Sequence, residues 1–411
     1  MARPNRMDPE RFGRLDGLLP KAEGRITTEP TELPKELDIA GLPEGEWVER
    51  GVYRMTRDFV YGEHYGKNRL LSPCESGRAL ELWGGSGVPV FLDTETTGLS
   101  GGTGTYAFLV GLGFCTGRAL RVVQLFLAGP AWERSWLAAL EAELPREFSL
   151  VTYNGRAFDL PLLRTRYTLS RAVPSWNEAQ HLDLLLLARH FYRGRLSSCS
   201  LGSMEKNVLG LGRSGEDIPG SEIPWIYTQY LRSQNARPLK GIFYHNTLDI
   251  VSLAALQRQL ASLACGGGNC AAELVRAGDL WAARGEERKA AEIWAQALDF
   301  PQDRNVALVR LAEREKAAGS WQAAYDYYRE SLETEKHPVP TLTAMAKLAE
   351  HKLRRCDMAL KASEQALLWL DRHRIFRDKD WAENRKALRH RIERLEKKLG
   401  RNSSEEDDEE E

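Results

Sequence analysis

Val88-Pro-Val-Phe-Leu-Asp93-Thr-Glu95-Thr-Thr-Gly98 is an apolar run that ends in two carboxylates. Its aliphatic and aromatic content predicts a buried strand over Val88–Leu92. In extended backbone, residues two apart leave the same face, so Asp93 and Glu95 stand side by side. Like charges so placed repel unless a cation lies between them. Hard oxygen donors suit magnesium or manganese. The same residues would also serve as a polar strand end running into a Thr/Gly turn. The choice depends on whether the rest of the chain adds further carboxylates.

Outward from this stretch, Tyr106–Phe114 and Leu120–Leu127 read as the second and third strands of a meander, joined at Thr116-Gly-Arg118. The glycine-rich loop Gly98–Thr105 lacks the Gly-Lys-Ser/Thr ending of a phosphate-binding loop, so its glycines suit close backbone approach instead. Trp132–Leu144 has helical spacing, and Ser149–Tyr153 reads as a strand. Phe158–Leu169, Leu182–Tyr192, Trp225–Arg232 and Thr247–Ala264 follow as helices, with Ser197–Pro224 rich in loops. A meander followed by alternating strands and helices predicts an α/β domain with a mixed central sheet. Its expected limits are 46–264, with 46–85 as a packing extension and 1–45 as an irregular leader. Residues 265–270, containing Gly266-Gly-Gly, are expected to be a linker.

Beyond it the pattern is helical and repeats. Gly285 recurs as Gly319, Ala290 as Ala324, Trp294 as Tyr328 and Leu298 as Leu332, 34 residues on; Ala359 and Leu367 continue the series at 35. This period predicts tetratricopeptide-like helical repeats over 271–400. Such repeats present concave surfaces suited to a protein partner.

The net charge of −1 hides a tail, 401–411, whose last seven residues, Glu405–Glu411, are all acidic. Removing those seven negative charges leaves +6, compatible with a polyanionic partner, while the tail itself is expected to be disordered. The six cysteines are scattered and form no CxxC pair, so reduced thiols in a cytoplasmic protein are expected. No run approaches the roughly 18 apolar residues of a membrane span, and the N-terminus lacks the apolar segment of a secretory leader.

Three further clusters bear on the opening pair. Tyr153-Asn154-Gly-Arg-Ala-Phe158-Asp159 sets a carboxylate at the start of a helix, and Tyr244-His245-Asn-Thr-Leu-Asp249 sets another on a later helix. His181-Leu-Asp183 is the third. The order Asp93-x-Glu95, Asn154-x-x-x-Phe158-Asp159, His245-x-x-x-Asp249 resembles the three exonuclease motifs of the DEDD superfamily. More closely, Phe91-Leu-Asp-Thr-Glu-Thr-Thr-Gly-Leu-Ser-Gly-Gly-Thr-Gly-Thr-Tyr-Ala-Phe-Leu-Val-Gly111 resembles the bacterial YprB-like ribonuclease-H-like proteins. So do Asp217-Ile-Pro-Gly-Ser-Glu-Ile-Pro224 and Pro238-Leu-Lys-x-x-x-x-His-Asn-x-x-Asp249.

The resemblance, over about residues 50–262, implies a ribonuclease-H-like fold and a 3′–5′ exonuclease acting on DNA or RNA with two divalent ions, Mg²⁺ or Mn²⁺. Asp93 would bridge the ions, with Glu95, Asp159 and Asp249 completing the set, since two ions about 4 Å apart can neutralise the attacking and leaving oxygens. The base is open. The superfamily's branches place His five residues, or Tyr four, before the last Asp, whereas here Tyr244 is at minus five and His245 at minus four. If a helix already covers these positions, His245 shares the face of Asp249 and is the favoured base, with Tyr244 second; if Asn246 is the N-cap, that argument fails. Thr94, Asn154, Arg189 and Arg193 are candidate substrate contacts. Arg195, Lys206 and Arg213 could extend a phosphate-binding groove. Phe158, Tyr192 and Trp225 are candidate stacking aromatics, expected rather to lie in the core. A structure-selective endonuclease and a non-catalytic nucleic-acid scaffold are the alternatives.

Overall fold

The computed structural model describes residues 42–61, 64–70, 73–98, 104–213, 217–373 and 379–400. Most of the expected leader, the middle of the glycine-rich loop and the acidic tail lie outside the described residues.

Seven strands form one sheet: β1 (Glu46–Glu49), β2 (Val52–Val60), β5 (Val88–Thr96), β6 (Ala107–Cys115), β7 (Ala119–Leu127), β8 (Phe148–Thr152) and β9 (Gln180–Asp183). The short strands β3 (His64–Tyr65) and β4 (Asn68–Arg69) pair separately. Across the sheet the order is β1-β2-β7-β6-β5-β8-β9. The meander β5–β6–β7 is antiparallel, while β8 and β9 run parallel to β5. This mixed sheet, flanked by helices, is a ribonuclease-H-like fold. The segment before Leu82 adds the β1–β2 hairpin to the outer edge, pairing Val52 with Leu127 through to Val60 with Ala119. β5 lies at the centre, covered on both faces, which is why Pro89–Leu92 reads as a continuous apolar run rather than an alternation. It continues through Thr96, so Asp93 and Glu95 lie within the strand.

Around the sheet lie α1 (Pro73–Glu81), α2 (Glu133–Glu143), α3 (Asp159–Leu169), α4 (Leu184–Tyr192), α5 (Leu201–Met204), α6 (Ile223–Ser233) and α7 (Leu239–Ala264). Two differences from the expected helix boundaries bear on the site. α7 starts at Leu239 instead of Thr247, because Pro238 supplies a ready helix start and Leu239, Ile242 and Phe243 bury an apolar face against the sheet. Asp183 ends β9 and caps α4 rather than riding on its first turn, since its side chain accepts the Leu185 amide. The segment expected to be loop, Ser197–Pro224, holds α5, which runs into a π turn at Glu205–Leu209.

α7 packs hard against β6. A Cβ at Gly111 would stand 2.2 Å from Asn246 Oδ1, so only glycine lets the helix approach here. Gly111 is also the partner of Asp93 across β5–β6.

The C-terminal part is helical: α8 (Ala271–Ala282), α9 (Glu287–Gln296), α10 (Arg304–Ala317), α11 (Trp321–Ser331), α12 (Val339–Leu348), α13 (Cys356–Arg372) and α14 (Lys379–Lys398). α8–α9, α10–α11 and α12–α13 pack as successive hairpins. Their turns sit at equivalent places in left-handed backbone: Gly285, Gly319 and, in the third copy, Arg354. Ala290, Ala324 and Ala359 are fully buried where the paired helices meet. One apolar core joins the sheet to the first hairpins, running from Phe91 and Leu120 through Leu263 to Trp281, Ala290 and Leu311. α14 is fastened by the buried Glu350 carboxylate, which accepts hydrogen bonds from Arg391, Arg394 and Lys398. Among the described residues, no helix is long and apolar enough to cross a membrane.

Candidate active site

Asp93 and Glu95 project from β5 toward α7, which brings Asp249 to them. Asp159 arrives from the first turn of α3. The Thr94 amide and hydroxyl donate to Asp159 Oδ1 at 3.1 and 2.6 Å, so the strand carrying the first two carboxylates also holds the third. Asn246 Nδ2 donates to Asp93 Oδ2 at 2.9 Å, while Gln124 Nε2 donates to Asn246 Oδ1 at 2.8 Å. The side chain that needs Gly111 to be small is thus the one that orients Asp93.

The loop that delivers Asp159 is tied down by Asp183. Its carboxylate accepts the amides of Asn154 at 2.7 Å, Arg156 at 3.2 Å and Leu185 at 3.1 Å. Asn154 itself is left-handed, at φ 65°, and turns the chain from β8 toward α3. Asp183 therefore serves the site from behind.

The electrostatics follow from crowding. Burial first, then the carboxylates of Asp249, Asp159 and Glu95, hold Asp93 well above the usual carboxylate range. Burial and the charges of Asp249 and Asp159 do the same to Glu95. Asp159 is pushed up to about 6 by burial, against the Thr94 hydrogen bonds. Asp249 is raised by burial, against the Arg213 guanidinium beside it. Four crowded acids, three buried and Asp93 half-buried, resist ionisation together and make a donor set that a divalent cation fits, since its charge would offset the mutual repulsion.

Because α7 already covers residues 244–249, His245 and Asp249 share a helix face, with Nε2 3.5 Å from Asp249 Oδ2. Nδ1 of the same ring is 2.8 Å from Asp217 Oδ1. Tyr244, also on α7, is half-buried. Arg213 is not a groove-lining cation. Its guanidinium is drawn into the acids, donating to Glu205 at 2.7 and 2.8 Å, to Asp217 at 3.3 Å and to Asp249. Burial opposes its charge, but Glu205 and Asp249 hold its pKa above the ordinary arginine value. Sequence reasoning missed this network. Glu205 has no local signature, and only the quoted Asp217–Pro224 motif pointed toward Asp217.

Beside the carboxylates lies a cavity of about 560 Å³, lined by Asp93, Thr94, Tyr153, Asn154, Phe158 and Asp159 among others. Phe158 is 57% exposed there and Trp225, on α6, is 64% exposed, so neither is the core residue expected; Tyr192 is buried. Arg189 and Arg193 are exposed. Arg189 lies close enough to Tyr153 for its charge to act on that phenol, whereas Arg195 is spent on Glu273 of α8 at 3.2 Å.

Residues 90–261 match the RNase_H_2 family of the RNase H superfamily. The chain is also 35% identical, over 239 residues, to the Bacillus subtilis (strain 168) protein described as "Uncharacterized protein YprB"; the aligned part is 53% of this chain and 57% of that protein. This chain thus spans little more than half the length of that relative. The stretch that carries Asp93, Glu95, Asp159 and Asp249 is accordingly an RNase H-superfamily domain.

Proposed function

We propose that this chain is a metal-dependent nuclease of the DEDD type, acting as a 3′–5′ exonuclease on DNA or RNA. The observation that carries this is the convergence of Asp93, Glu95, Asp159 and Asp249 at one end of β5, beside an open cavity. These four would hold two ions, Mg²⁺ or Mn²⁺, with Asp93 shared. When bound, such ions supply charge neutralisation on the attacking and leaving oxygens of a phosphodiester. Asn246, Thr94 and Asp183 keep the acids in place. His245 serves the attacking water through Nε2, with Tyr244 as the alternative. A cavity of about 560 Å³ is of the size that takes one nucleotide, which favours an exposed strand end. Phe158 would face its base, and Asn154, Arg189 and Arg193 would approach the strand. The hairpins α8–α13 we read as tetratricopeptide-like repeats that dock a protein partner.

The test is hydrolysis of 5′-labelled single- and double-stranded DNA and RNA with Mg²⁺ or Mn²⁺, using free and blocked 3′ ends. A ladder shortening from a free 3′ end is expected. Cleavage indifferent to the block would assign a structure-selective endonuclease on the same fold. Binding of all substrates without hydrolysis would assign a scaffold.

A further inference from the structure

One atom each from Glu95, His245 and Asp249 come within 4.8 Å of one another. The imidazole in this group has two neighbours at Nδ1: Asp217 Oδ1 at 2.8 Å and Arg213 Nη1 at 3.1 Å. A guanidinium only donates, so a ring nitrogen cannot both donate to Asp217 and accept from Arg213. The shorter contact, to a carboxylate, places the proton on Nδ1. Nε2 then faces Asp249 Oδ2, 3.5 Å away, with the imidazole half-buried. A proton between them would draw the pair to the roughly 2.7–2.9 Å of a charge-assisted hydrogen bond, whereas a shared ion holds its ligands further apart. Ligand atoms at about 2.1 Å from a shared ion stand about 3.0 Å apart at right angles and about 4.2 Å apart when opposite, and 3.5 Å falls inside that range. Arg213 occupies the other oxygen of Asp249, which leaves Oδ2 for the ion.

We propose that His245 Nε2 is a metal ligand, forming with Glu95 and Asp249 a mixed nitrogen–oxygen site that takes a divalent first-row transition ion in preference to Mg²⁺. Asp217 is its positioning residue: a ligating histidine is held in tautomer and orientation by a carboxylate on its other nitrogen. The proposal rests on the metal-dependent reading above. It makes His245 serve the water through the ion rather than by taking its proton directly. Imidazole suits transition ions, whereas Mg²⁺ keeps to oxygen donors, which sets the expected order of affinity.

The experiment uses the full chain freed of metal by chelation. Mn²⁺ is titrated with the free ion followed by electron paramagnetic resonance, Mg²⁺ by competition, and the bound Mn²⁺ is examined by pulsed resonance for nitrogen modulation. Wild type should bind Mn²⁺ at least tenfold more tightly than Mg²⁺ and show the nitrogen signature. His245→Gln, which keeps the side chain's bulk, should abolish that signature and weaken Mn²⁺ about 10- to 100-fold, leaving Mg²⁺ within about twofold; Asp217→Asn should weaken Mn²⁺ about tenfold. Tight Mn²⁺ binding without nitrogen modulation, or modulation that survives in His245→Gln, would overturn the ligand assignment and leave the nuclease reading standing. Absence of any metal binding by wild type would overturn both.

Discussion

Asp183 is the most consequential residue that never faces the cavity, and Asp183→Ala isolates what it does. The carboxylate is 5% exposed and accepts three backbone amides, two in the loop leading to Asp159 and one at the start of α4. Loss of the helix cap costs about 1 kcal/mol. The two loop amides lose charge-assisted bonds and have little access to water, at about 1–2 kcal/mol each. The sum is roughly 3–5 kcal/mol, a large part of a typical domain's stability. The loss should be local before it is global. Amide exchange over 150–160 should accelerate by two to three orders of magnitude on the lower part of that estimate, since each 1.4 kcal/mol is about tenfold, while the hairpins α10–α13 keep their protection. Nuclease activity should fall with it, because Asp159 begins α3 three residues after Arg156. Unchanged exchange in 150–160, or a denaturation shift below about 1 kcal/mol, would refute the claim that this carboxylate holds the loop.

Without metal, Asp159 has a folded pKa of about 6 against 3.8 ordinarily, so the folded chain binds the extra proton and stability from this group declines as pH rises from 4 through 6. The melting temperature in chelator, relative to Asp159→Asn, should therefore drop between pH 5 and pH 7, and saturating Mn²⁺ should stabilise more at pH 7 than at pH 5; the reverse order would contradict the assignment. Gly111→Ala would set a methyl 2.2 Å from Asn246 Oδ1, lifting α7 from β6 at about 1–3 kcal/mol and releasing Asp93, so metal affinity in a calorimetric titration should fall with stability. Glu350→Ala frees α14 from three cations at about 2 kcal/mol, less than for a fully buried pair because Arg394 and Lys398 keep access to water. Limited proteolysis should then cut first in α14, with nuclease activity unchanged.

The centre of the sheet was legible because its strands declare themselves: Val88–Leu92 is too apolar for anything but a covered strand, and the Asp93/Glu95 spacing places both acids on one face, whereas β9 was hidden at the head of the expected helix Leu182–Tyr192. The hairpins declared themselves through residues 34 apart, although the third turn uses Arg354 where the first two use glycine. What local pattern did not disclose is long-range. Asn246 orients Asp93 from 153 residues away, and Arg213 reaches Asp249 across 36, so neither pairing leaves a periodic trace. Phe158 and Trp225 are apolar by type, and composition favours burying them; they are exposed because each stands at the start of a helix, off its packed side. Asp183 falls within the expected helix Leu182–Tyr192 and instead caps it, and its bonds to Asn154 and Arg156 required knowing that β8 and β9 are neighbours.

The central claim is that the acids on β5, α3 and α7 hold ions against a nucleic-acid phosphate. Hydrolysis of a 5′-labelled single strand in Mn²⁺, by wild type and by Asp93→Asn prepared side by side, tests it most directly. Metal-dependent cleavage by wild type, lost on chelation and reduced at least a hundredfold in Asp93→Asn, is the predicted result. Equal cleavage by the two proteins would contradict it.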